Sequence, residues 1–390
     1  MQTFLYTNYI KIPYLPQGAY HIKWFLKQFH ATQRKEIQMN SKNVLVLFGG
    51  TSPEHEISKE SAVSVINALK NHNVVPVYIT REGKWLLYDG KPENIGSIDW
   101  ERFGTTAVLS PDKANKGLLR IVNDKVKRVP IDIVFPVLHG PGGEDGTIQG
   151  LCELAGIPYV GCGVVASSVA MDKATTKLIA KALKIPQADF ITFEKQEIKN
   201  ELETVLKKIR YKIAYPCFIK PSQGGSSIGI SKVNNKKELI IALETAAKFS
   251  SKVVVEKGLT NAREIEVGIL GNGKTAKVSI PGEIIADGEF YDYDAKYIKP
   301  ESKTIVPTDL PEDLVSKIQK YALDIFSAIN GKGLSRVDFF VTKEGKIIFN
   351  EINTMPGFTK ISMYSKVFKA EGLSQQDIIE NLLELALTNE

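Results

Sequence analysis

The stretch SRVDFFVTKEGKIIFNEIN, residues 335–353, reads as two strands joined by a tight turn. Side chains along a strand alternate between two faces, so a turn at residues 344–345 sets which residues share a face. On this register the polar residues gather on one face at one end of the hairpin, as the pairs Arg336–Asn353 and Asp338–Glu351.

The opposite face of the hairpin is apolar and predicts a buried side. Its members on this register are Val337, Phe339, Val341, Ile348 and Ile352. A four-residue loop would keep the register, whereas a three-residue loop would break it.

Two interpretations of the polar face are open from these residues alone. One is a salt-bridged, solvated patch on an edge hairpin. The other is a metal site, because the oxygens of Asp338, Glu351 and Asn353 suit Mg²⁺ or Mn²⁺. Mg²⁺ usually completes its shell with water and phosphate oxygens, so this interpretation requires a phosphate-binding site elsewhere in the chain.

Composition excludes several classes of protein. The length of 390 residues suggests two or three domains. Of the net charge of +6, residues 1–38 carry +4, so the rest of the chain has no general nucleic-acid surface. The 3 cysteines form no C-x-x-C pair, which favours a reducing cytoplasm. We find no apolar run approaching the ~18 residues of a membrane span.

The first half of the chain alternates strand and helix patterns. Buried-strand runs occur at 43–50, 74–80, 131–140 and 157–162, with helical stretches after the first and the third, which predicts a parallel sheet covered on both faces. Residues 167–185 read as one long amphipathic helix, and a last helix is expected at about 375–387.

The loop KPSQGGSSIGIS, residues 220–231, is a candidate phosphate site. Its glycines allow close backbone approach, and Ser226 and Ser227 add hydroxyls. Lys220 closes the preceding strand and is placed to reach a phosphate. The alternative is an ordinary flexible Gly/Ser turn.

The first strand-to-helix turn, GGTSPEHEIS at 49–58, carries Glu54. Thr51 and Glu54 match a capping box, which gives Glu54 a structural role. The competing interpretation places this carboxylate at the carboxyl end of a parallel strand, where ligands of such sheets bind. His139 ends another strand and is either a core histidine or a polar contact there.

Eight motifs occur together and in order: GGTSPEHEIS, HGPGGEDGTIQG, MDK, KPSQGGSSIG, EKGL, YDYDAKY, SRVDFF and NEINTMPGFT. As a set they resemble the D-alanine–D-alanine ligases of the ATP-grasp superfamily. The resemblance runs from residue 43 to the C-terminus and leaves 1–38 unmatched.

The resemblance implies an α/β fold with the three-domain ATP-grasp architecture and an N-terminal parallel α/β domain. The boundaries it implies are a nonessential extension at 1–38, a substrate domain at 39–167, a central domain at 168–258, and a C-terminal metal-binding domain at 259–390.

It also implies a reaction. ATP would activate one D-alanine as an acyl phosphate, and a second would attack it, giving D-alanyl-D-alanine for peptidoglycan precursors. Two Mg²⁺ ions, for which Mn²⁺ may substitute, and a cytoplasmic homodimer without nucleic-acid or membrane partners are expected. A D-lactate or D-serine acceptor and a non-catalytic nucleotide-binding protein are the alternatives.

Site residues follow from the resemblance position by position. Catalytic roles fall to Glu54, Ser226, Tyr297, Arg336 and Gly357. Substrate contacts fall to Glu54, His139, Ser362 and Met363. ATP contacts fall to Lys173, Lys220, Ser226, Ser227, Glu256, Lys257, Leu259, Glu264 and Lys296. Metal ligands would be Asp338, Glu351 and Asn353, while YDYDAKY would form a lid over bound ATP.

Overall fold

The computed structural model of the protein describes residues 40–97, 99–285 and 303–388. Lys42–Glu390 forms one compact unit. The predicted extension at 1–38 and the predicted lid, with Lys296 and Tyr297, lie outside the described residues.

Strands and helices alternate along the described chain. The strands are β1 Asn43–Gly49, β2 Asn73–Ile79, β3 Trp85–Tyr88, β4 Gly104–Leu109, β5 Gly117–Val122, β6 Lys125–Pro130, β7 Ile133–Val137, β8 Phe190–Glu194, β9 Cys217–Pro221, β10 Ser231–Val233, β11 Lys252–Lys257, β12 Arg263–Leu270, β13 Lys277–Val278, β14 Gly282–Ile285, β15 Lys303–Ile305, β16 Leu334–Val341 and β17 Ile347–Asn353. The α-helices are α1 His55–Ala68, α2 Thr147–Ala155, α3 Val164–Met171, α4 Lys173–Ala182, α5 Lys195–Asn200, α6 Leu202–Lys212, α7 Lys236–Phe249, α8 Glu312–Ala328, α9 Met363–Ala370 and α10 Gln375–Leu387.

The first sheet has the strand order β6-β5-β4-β3-β2-β1-β7. β1 is apolar and buried from Val44 to Phe48 and pairs in parallel with both β2 and β7, in line with the predicted parallel sheet. The strands β3 to β6, which the sequence pattern did not predict, extend this sheet and pair antiparallel in succession. The described residues between β2 and β6 form no α-helix, and short connections join antiparallel neighbours because parallel ones need a long crossover.

The predicted long helix at 167–185 is two helices, because the chain leaves the helical conformation at Asp172. The Asp172 side chain accepts the Thr175 N–H at 2.8 Å and the Ser222 hydroxyl at 2.9 Å. Asp172 thus caps α4 and anchors its first residue beside the loop that follows β9.

The central sheet has the order β10-β9-β11-β8 and packs against α5, α6 and α7. The last sheet runs β15-β14-β12-β16-β17, with β13 beside β12, and α8 packs on its apolar face. Each sheet lies inside one of the three segments predicted from the sequence, although the boundaries themselves stay a prediction.

The β16–β17 hairpin has a three-residue loop, so the predicted turn is wrong. The Thr342 N–H donates to the Lys346 carbonyl at 3.0 Å, and the Gly345 N–H to the Thr342 carbonyl at 2.9 Å. The register near the loop is shifted by one residue, and Ile348 is half-buried, not in the core. Ile347 and Phe349 take the core positions instead.

A β-bulge then restores the predicted pairing. The register shifts between Asp338 and Phe339, which leaves Asn350 as the extra residue of β17. Beyond it, Arg336 pairs with Asn353 and Asp338 with Glu351, as predicted. The bulge matters for the site because it re-aims side chains at the end of the hairpin.

Candidate active site

Two adjoining cavities lie along the ends of the three sheets. The first has a volume of about 200 Å³, and the second about 780 Å³. The first is lined by the predicted catalytic and substrate residues that the structure describes: Glu54, His139, Ser226, Arg336, Gly357, Ser362 and Met363. The second is lined by the predicted ATP residues Lys173, Lys220, Ser226, Ser227, Glu256, Lys257, Leu259 and Glu264. Lys173, Ser226 and Glu351 line both, so the cavities meet at these side chains.

Glu54 is buried at the start of α1 and does not form the predicted capping box. The helix begins at His55, so Glu54 occupies the N-cap position and makes no side-chain cap bond. Its carboxylate instead accepts a short hydrogen bond from the Ser226 hydroxyl. A Cβ at Gly225 would lie 2.6 Å from Glu54 Oε2, which explains why this part of the loop is glycine.

His139 is a buried, neutral polar contact at the end of β7. Its Nδ1 lies 2.9 Å from the Met355 carbonyl, and its Nε2 lies 3.2 Å from the Ser61 hydroxyl. A carbonyl only accepts, so Nδ1 carries the proton and Nε2 accepts from Ser61. Burial lowers the pKa of His139, which keeps the ring uncharged.

Glu144 lines the first cavity and is a residue that sequence reasoning missed. Its two oxygens accept the backbone N–H of Gly140 at 3.0 Å and of Met355 at 3.1 Å. Burial, followed by the charge of Glu54, raises its pKa to about 8. The sequence signal that could have identified it is an acidic residue among glycines directly after a strand.

Arg336 is held by carboxylates on its own and the neighbouring strand. Its Nε and Nη2 donate to the two oxygens of Asp338, each at 2.7 Å, and Glu266 lies 3.1 Å away. Burial alone would lower the pKa of Arg336, but Asp338 and Glu266 raise it well above its ordinary value. The guanidinium is therefore a fixed positive charge at the wall of the first cavity.

The oxygens predicted to bind metal lie around this arginine. Asn353 Nδ2 donates to Asp338 at 3.1 Å, and Glu351 lies 3.5 Å from Lys173 Nζ. Within residues 40–97, 99–285 and 303–388, no cluster of three or more His, Cys, Asp and Glu side chains is placed to hold a metal ion. The donor set of Asp338, Glu351 and Asn353 fits a hard cation that takes its remaining oxygens from a ligand.

The second cavity contains a buried charge network that sequence reasoning located only in part. Glu256 is contacted by Lys177 at one oxygen and by Lys220 at the other, the latter at 2.7 Å. Burial alone would raise the pKa of Glu256, but Lys177 and Lys220 hold it well below its ordinary value. Lys177 is 1% exposed and was read only as part of an amphipathic helix.

The loop after β9 joins the two cavities. Ser226 and Ser227 have positive φ angles of 45° and 60°, a conformation that costs non-glycine residues free energy. Lys173, at the start of α4, donates to the Gly224 carbonyl at 2.6 Å. The loop therefore presents hydroxyls and a lysine together, as expected of a phosphate site.

The far wall of the first cavity is formed by the turn into α9. Ser362 occupies the N-cap position, and its hydroxyl accepts the Thr359 N–H at 3.1 Å. A Cβ at Gly357 would lie 2.8 Å from Ser362 Oγ, so glycine is required for this approach.

Comparisons with known proteins agree with this geometry. The family model described as the D-ala D-ala ligase N-terminus matches residues 43–162, and that of the D-ala D-ala ligase C-terminus matches residues 179–384. A D-alanine–D-alanine ligase of Acetivibrio thermocellus is 48% identical over 364 residues, covering 89% of this chain and 96% of the relative. That of Caldicellulosiruptor bescii is 45% identical over 352 residues, covering 90% and 96%.

Solved structures show the same relationship. The VanG D-Ala:D-Ser ligase from Enterococcus faecalis superposes with a TM-score of 0.79 at 37% identity, covering 89% of this chain and 99% of that one. The D-alanine–D-alanine ligase from Coxiella burnetii gives a TM-score of 0.74 at 33% identity, covering 89% and 94%. With both halves matched and the ATP-grasp fold shared, this chain belongs to the D-alanine–D-alanine ligase family.

Proposed function

We propose that the chain joins two D-alanines at the junction of the two cavities, consuming ATP. The ligase activity and the use of ATP and D-alanine follow from membership of the family. The observation that supports the location is the shared wall, since Lys173, Ser226 and Glu351 line both cavities. A phosphate in the second cavity would thus meet a carboxylate in the first.

The nucleotide would occupy the larger cavity. We assign the triphosphate to Lys173, Lys220, Ser226 and Ser227, the adenine to Glu256, Lys257 and Leu259, and the ribose to Glu264. The positive φ angles of the two serines and the nearby lysines support the triphosphate assignment. Lys220 contacts Glu256 at 2.7 Å, so this lysine links the residues assigned to the adenine with those assigned to the triphosphate.

Mg²⁺ would be held by Asp338, Glu351 and Asn353 together with phosphate oxygens. We propose two ions, as the resemblance implies, and Mn²⁺ as a substitute for Mg²⁺, because the ligands in this set are hard oxygens. When bound, the ions neutralise charge on the phosphates. Arg336 keeps the Asp338 carboxylate in place by donating to both of its oxygens.

The chain's own residues then act at stated atoms. Glu54 would bind the ammonium of the first D-alanine, with Ser226 orienting its carboxylate. The carboxylate of that substrate takes the γ-phosphoryl group of ATP, giving an acyl phosphate and ADP. The neutral amine of the second D-alanine attacks the acyl carbon, and the tetrahedral intermediate then breaks its C–O bond to phosphate. The leaving phosphate takes up the proton that the nitrogen loses as the amide forms. The Arg336 guanidinium and the Gly357 N–H would stabilise the tetrahedral oxyanion.

The remaining assignments concern substrate contacts and shielding. Ser362 and Met363 would hold the second substrate, and His139 would support the wall beside Glu54. Tyr297 and Lys296 would close a lid that excludes water from the acyl phosphate, as the resemblance implies. Residues 1–38 would be dispensable, in line with family matches that begin at residue 43.

The cellular setting is part of the proposal. We place the enzyme in the cytoplasm, since Cys152, Cys162 and Cys217 are free thiols and ATP is required. No helix in the part of the chain that the structure describes is long and apolar enough to cross a membrane. The product would serve peptidoglycan precursor synthesis, as in the family. A homodimer is proposed, with exposed Leu154 and Val165 on the neighbouring helices α2 and α3 as apolar contacts.

A second acceptor is worth testing because one structural relative is a D-Ala:D-Ser ligase. The experiment supplies ATP and D-alanine with D-serine or D-lactate and measures phosphate release and product mass. D-alanyl-D-alanine as the main product is expected. Phosphate release without any ligated product would contradict the proposal, and a mixed product dominated by D-serine would favour the alternative.

A further inference from the structure

Lys366 lies on α9, one helical turn after Ser362, and lines the first cavity. It does not line the second cavity. Its ammonium donates to the Thr304 hydroxyl at 2.9 Å and lies within the half-buried wall of the site. The placement makes Lys366 a cation of the substrate cavity and separates it from the nucleotide.

The other cations of this cavity are already paired. Arg336 is bound to Asp338 and Glu266, and Lys173 lies 3.5 Å from Glu351. Among the described residues that line the first cavity, Lys366 is the basic side chain with no carboxylate within ion-pair distance. It is therefore available to a negatively charged ligand.

The charge balance of the cavity favours such a role. Four acids line it, namely Glu54, Glu144, Glu266 and Glu351. An incoming carboxylate meets repulsion from Glu54, Glu266 and Glu351 unless an unpaired cation compensates it, whereas Glu144, with its pKa raised to about 8, is mostly protonated at neutral pH. Burial lowers the pKa of Lys366 and the charge of Glu266 raises it, so a ligand carboxylate would add to the stabilisation of its charged form.

Helix geometry directs the lysine towards Ser362. Side chains on an α-helix tilt towards its N-terminus, and residues four apart lie on the same face. The Lys366 side chain therefore lies over the turn that begins at Ser362. The Lys366 N–H also donates to the Ser362 carbonyl at 3.3 Å, which ties the two residues to one helical turn.

We propose that Lys366 binds the carboxylate of the acceptor amino acid and so sets the preference for an acceptor with a free carboxyl group. The proposal rests on the proposed function, because it assigns a residue to the acceptor end of that site. The Thr304 hydroxyl holds the ammonium at 2.9 Å, and the acceptor carboxylate would replace or join that hydroxyl.

The test compares two acceptors that differ only in this charge. Equal concentrations of D-alanine and D-alaninamide are supplied with ATP, and D-alanyl-D-alanine and D-alanyl-D-alaninamide are quantified by mass spectrometry. Lys366→Met and Lys366→Gln should each lower the ratio of the first product to the second by at least about tenfold, because a charge-assisted contact is lost. Lys366→Gln also keeps a polar group that can bond Thr304, so it tests the loss of charge even if the Met variant fails to fold.

Two controls make the outcome specific. Lys369→Met removes an exposed lysine from the same helix and should leave the ratio unchanged. Lys366→Arg should retain most of the product ratio of the unaltered protein, since the positive charge is kept. An unchanged ratio in Lys366→Gln, or an equal loss of both products, overturns the inference while the ligase function stands. Failure of the unaltered protein to make either product overturns the proposed function and the inference together.

Discussion

The Ser226 hydroxyl donates a hydrogen bond to the Glu54 carboxylate across 172 residues of sequence. Ser226 belongs to the loop after β9, and Glu54 precedes α1, so the bond joins the first sheet to the central one. The phosphate loop is thereby coupled to the residue proposed to bind the substrate ammonium. Closure of the loop on ATP and capture of D-alanine are then expected to be cooperative.

This coupling can be measured with Ser226→Ala, Glu54→Gln and the double variant. Each single change should raise the KM for D-alanine, because one partner of a buried charge-assisted bond is removed, at a cost of about 1.5–3 kcal/mol. The double variant should lose much less than the sum, since both single changes remove the same bond. Additive losses in kcat/KM would show that the two side chains act independently.

Removing the charge of Glu351 tests the metal assignment. Glu351→Gln should keep the fold and raise the Mg²⁺ concentration needed for half-maximal activity by about tenfold or more, because an amide is a weaker ligand for a hard cation. Glu344→Gln, an exposed acid in the turn of the same hairpin, is the matched control and should leave the Mg²⁺ titration unchanged. A normal titration in both variants would remove Glu351 from the metal shell.

The buried lysine Lys177 is expected to stabilise the fold by pairing with Glu256. Lys177→Met should lower the free energy of unfolding by about 3 kcal/mol or more, because it removes one partner from a buried ion pair. It should also weaken ATP binding, since Glu256 lines the second cavity. Lys181→Met, at an exposed position of the same helix, should change stability by about 0.5 kcal/mol or less. Chemical denaturation of both variants measures the free energy of unfolding, and calorimetric titration with ATP measures the affinity.

Glu144 predicts a specific dependence of stability on pH. Its pKa is raised from 4.5 to about 8 in the folded protein, so the folded state binds the proton more tightly than the unfolded state. The stabilisation from this group is present below pH 4.5 and is lost as the pH rises towards about 8, by on the order of 5 kcal/mol in total. Glu144→Gln has no such proton and should show a flatter profile across this window.

The cause of that shift can be tested in the same way. Because the charge of Glu54 contributes to it, Glu54→Gln should narrow the window in which Glu144 loses its proton. Unfolding free energies are measured between pH 5 and 8.5 for the unaltered protein and both variants. Parallel profiles for the unaltered protein and Glu144→Gln would contradict the assignment.

The polar end of the β16–β17 hairpin was predictable, although the reasoning about its turn was wrong. The pairs Arg336–Asn353 and Asp338–Glu351 form because the apolar face must stay buried, and the bulge at Asn350 absorbs the shift imposed by a three-residue loop. A bulge cannot be recognised from the alternation of apolar and polar residues alone. The extra residue shifts the pattern by one, so an apolar residue is assigned to the wrong face of the strand. Ile348 was misplaced for that reason.

The residues missed by sequence reasoning depend on contacts between distant segments. Glu144 is a candidate site residue because it contacts the Met355 N–H and lies near the charge of Glu54, and Lys177 is one because it contacts Glu256. Nothing in their own helical or loop patterns carries that information. The capping box at Thr51 and Glu54 failed for a related reason, because Ser226 from another sheet offers the Glu54 carboxylate a better partner. Local rules therefore located strands, loops and α10, while tertiary contacts decided the roles of buried charges.

The acceptor is the property on which relatives of this chain differ, and the proposed lid makes a prediction about it. A Tyr297 hydroxyl would hydrogen-bond Ser226 and hold Glu54 and the lid in one network, which phenylalanine cannot do. D-lactate offers a hydroxyl where D-alanine offers an amine, so a site built around the amine loses a polar partner when D-lactate binds.

We therefore expect the unaltered protein to make D-alanyl-D-alanine in large excess over D-alanyl-D-lactate when both acceptors are supplied. Tyr297→Phe should shift this product ratio towards the depsipeptide. At lower pH a larger share of the amine is protonated, so the excess should shrink as the pH falls. Product analysis by mass spectrometry at several pH values measures both effects. Mainly depsipeptide from the unaltered protein at neutral pH would reject the D-alanine acceptor and leave the ATP-dependent ligase chemistry intact.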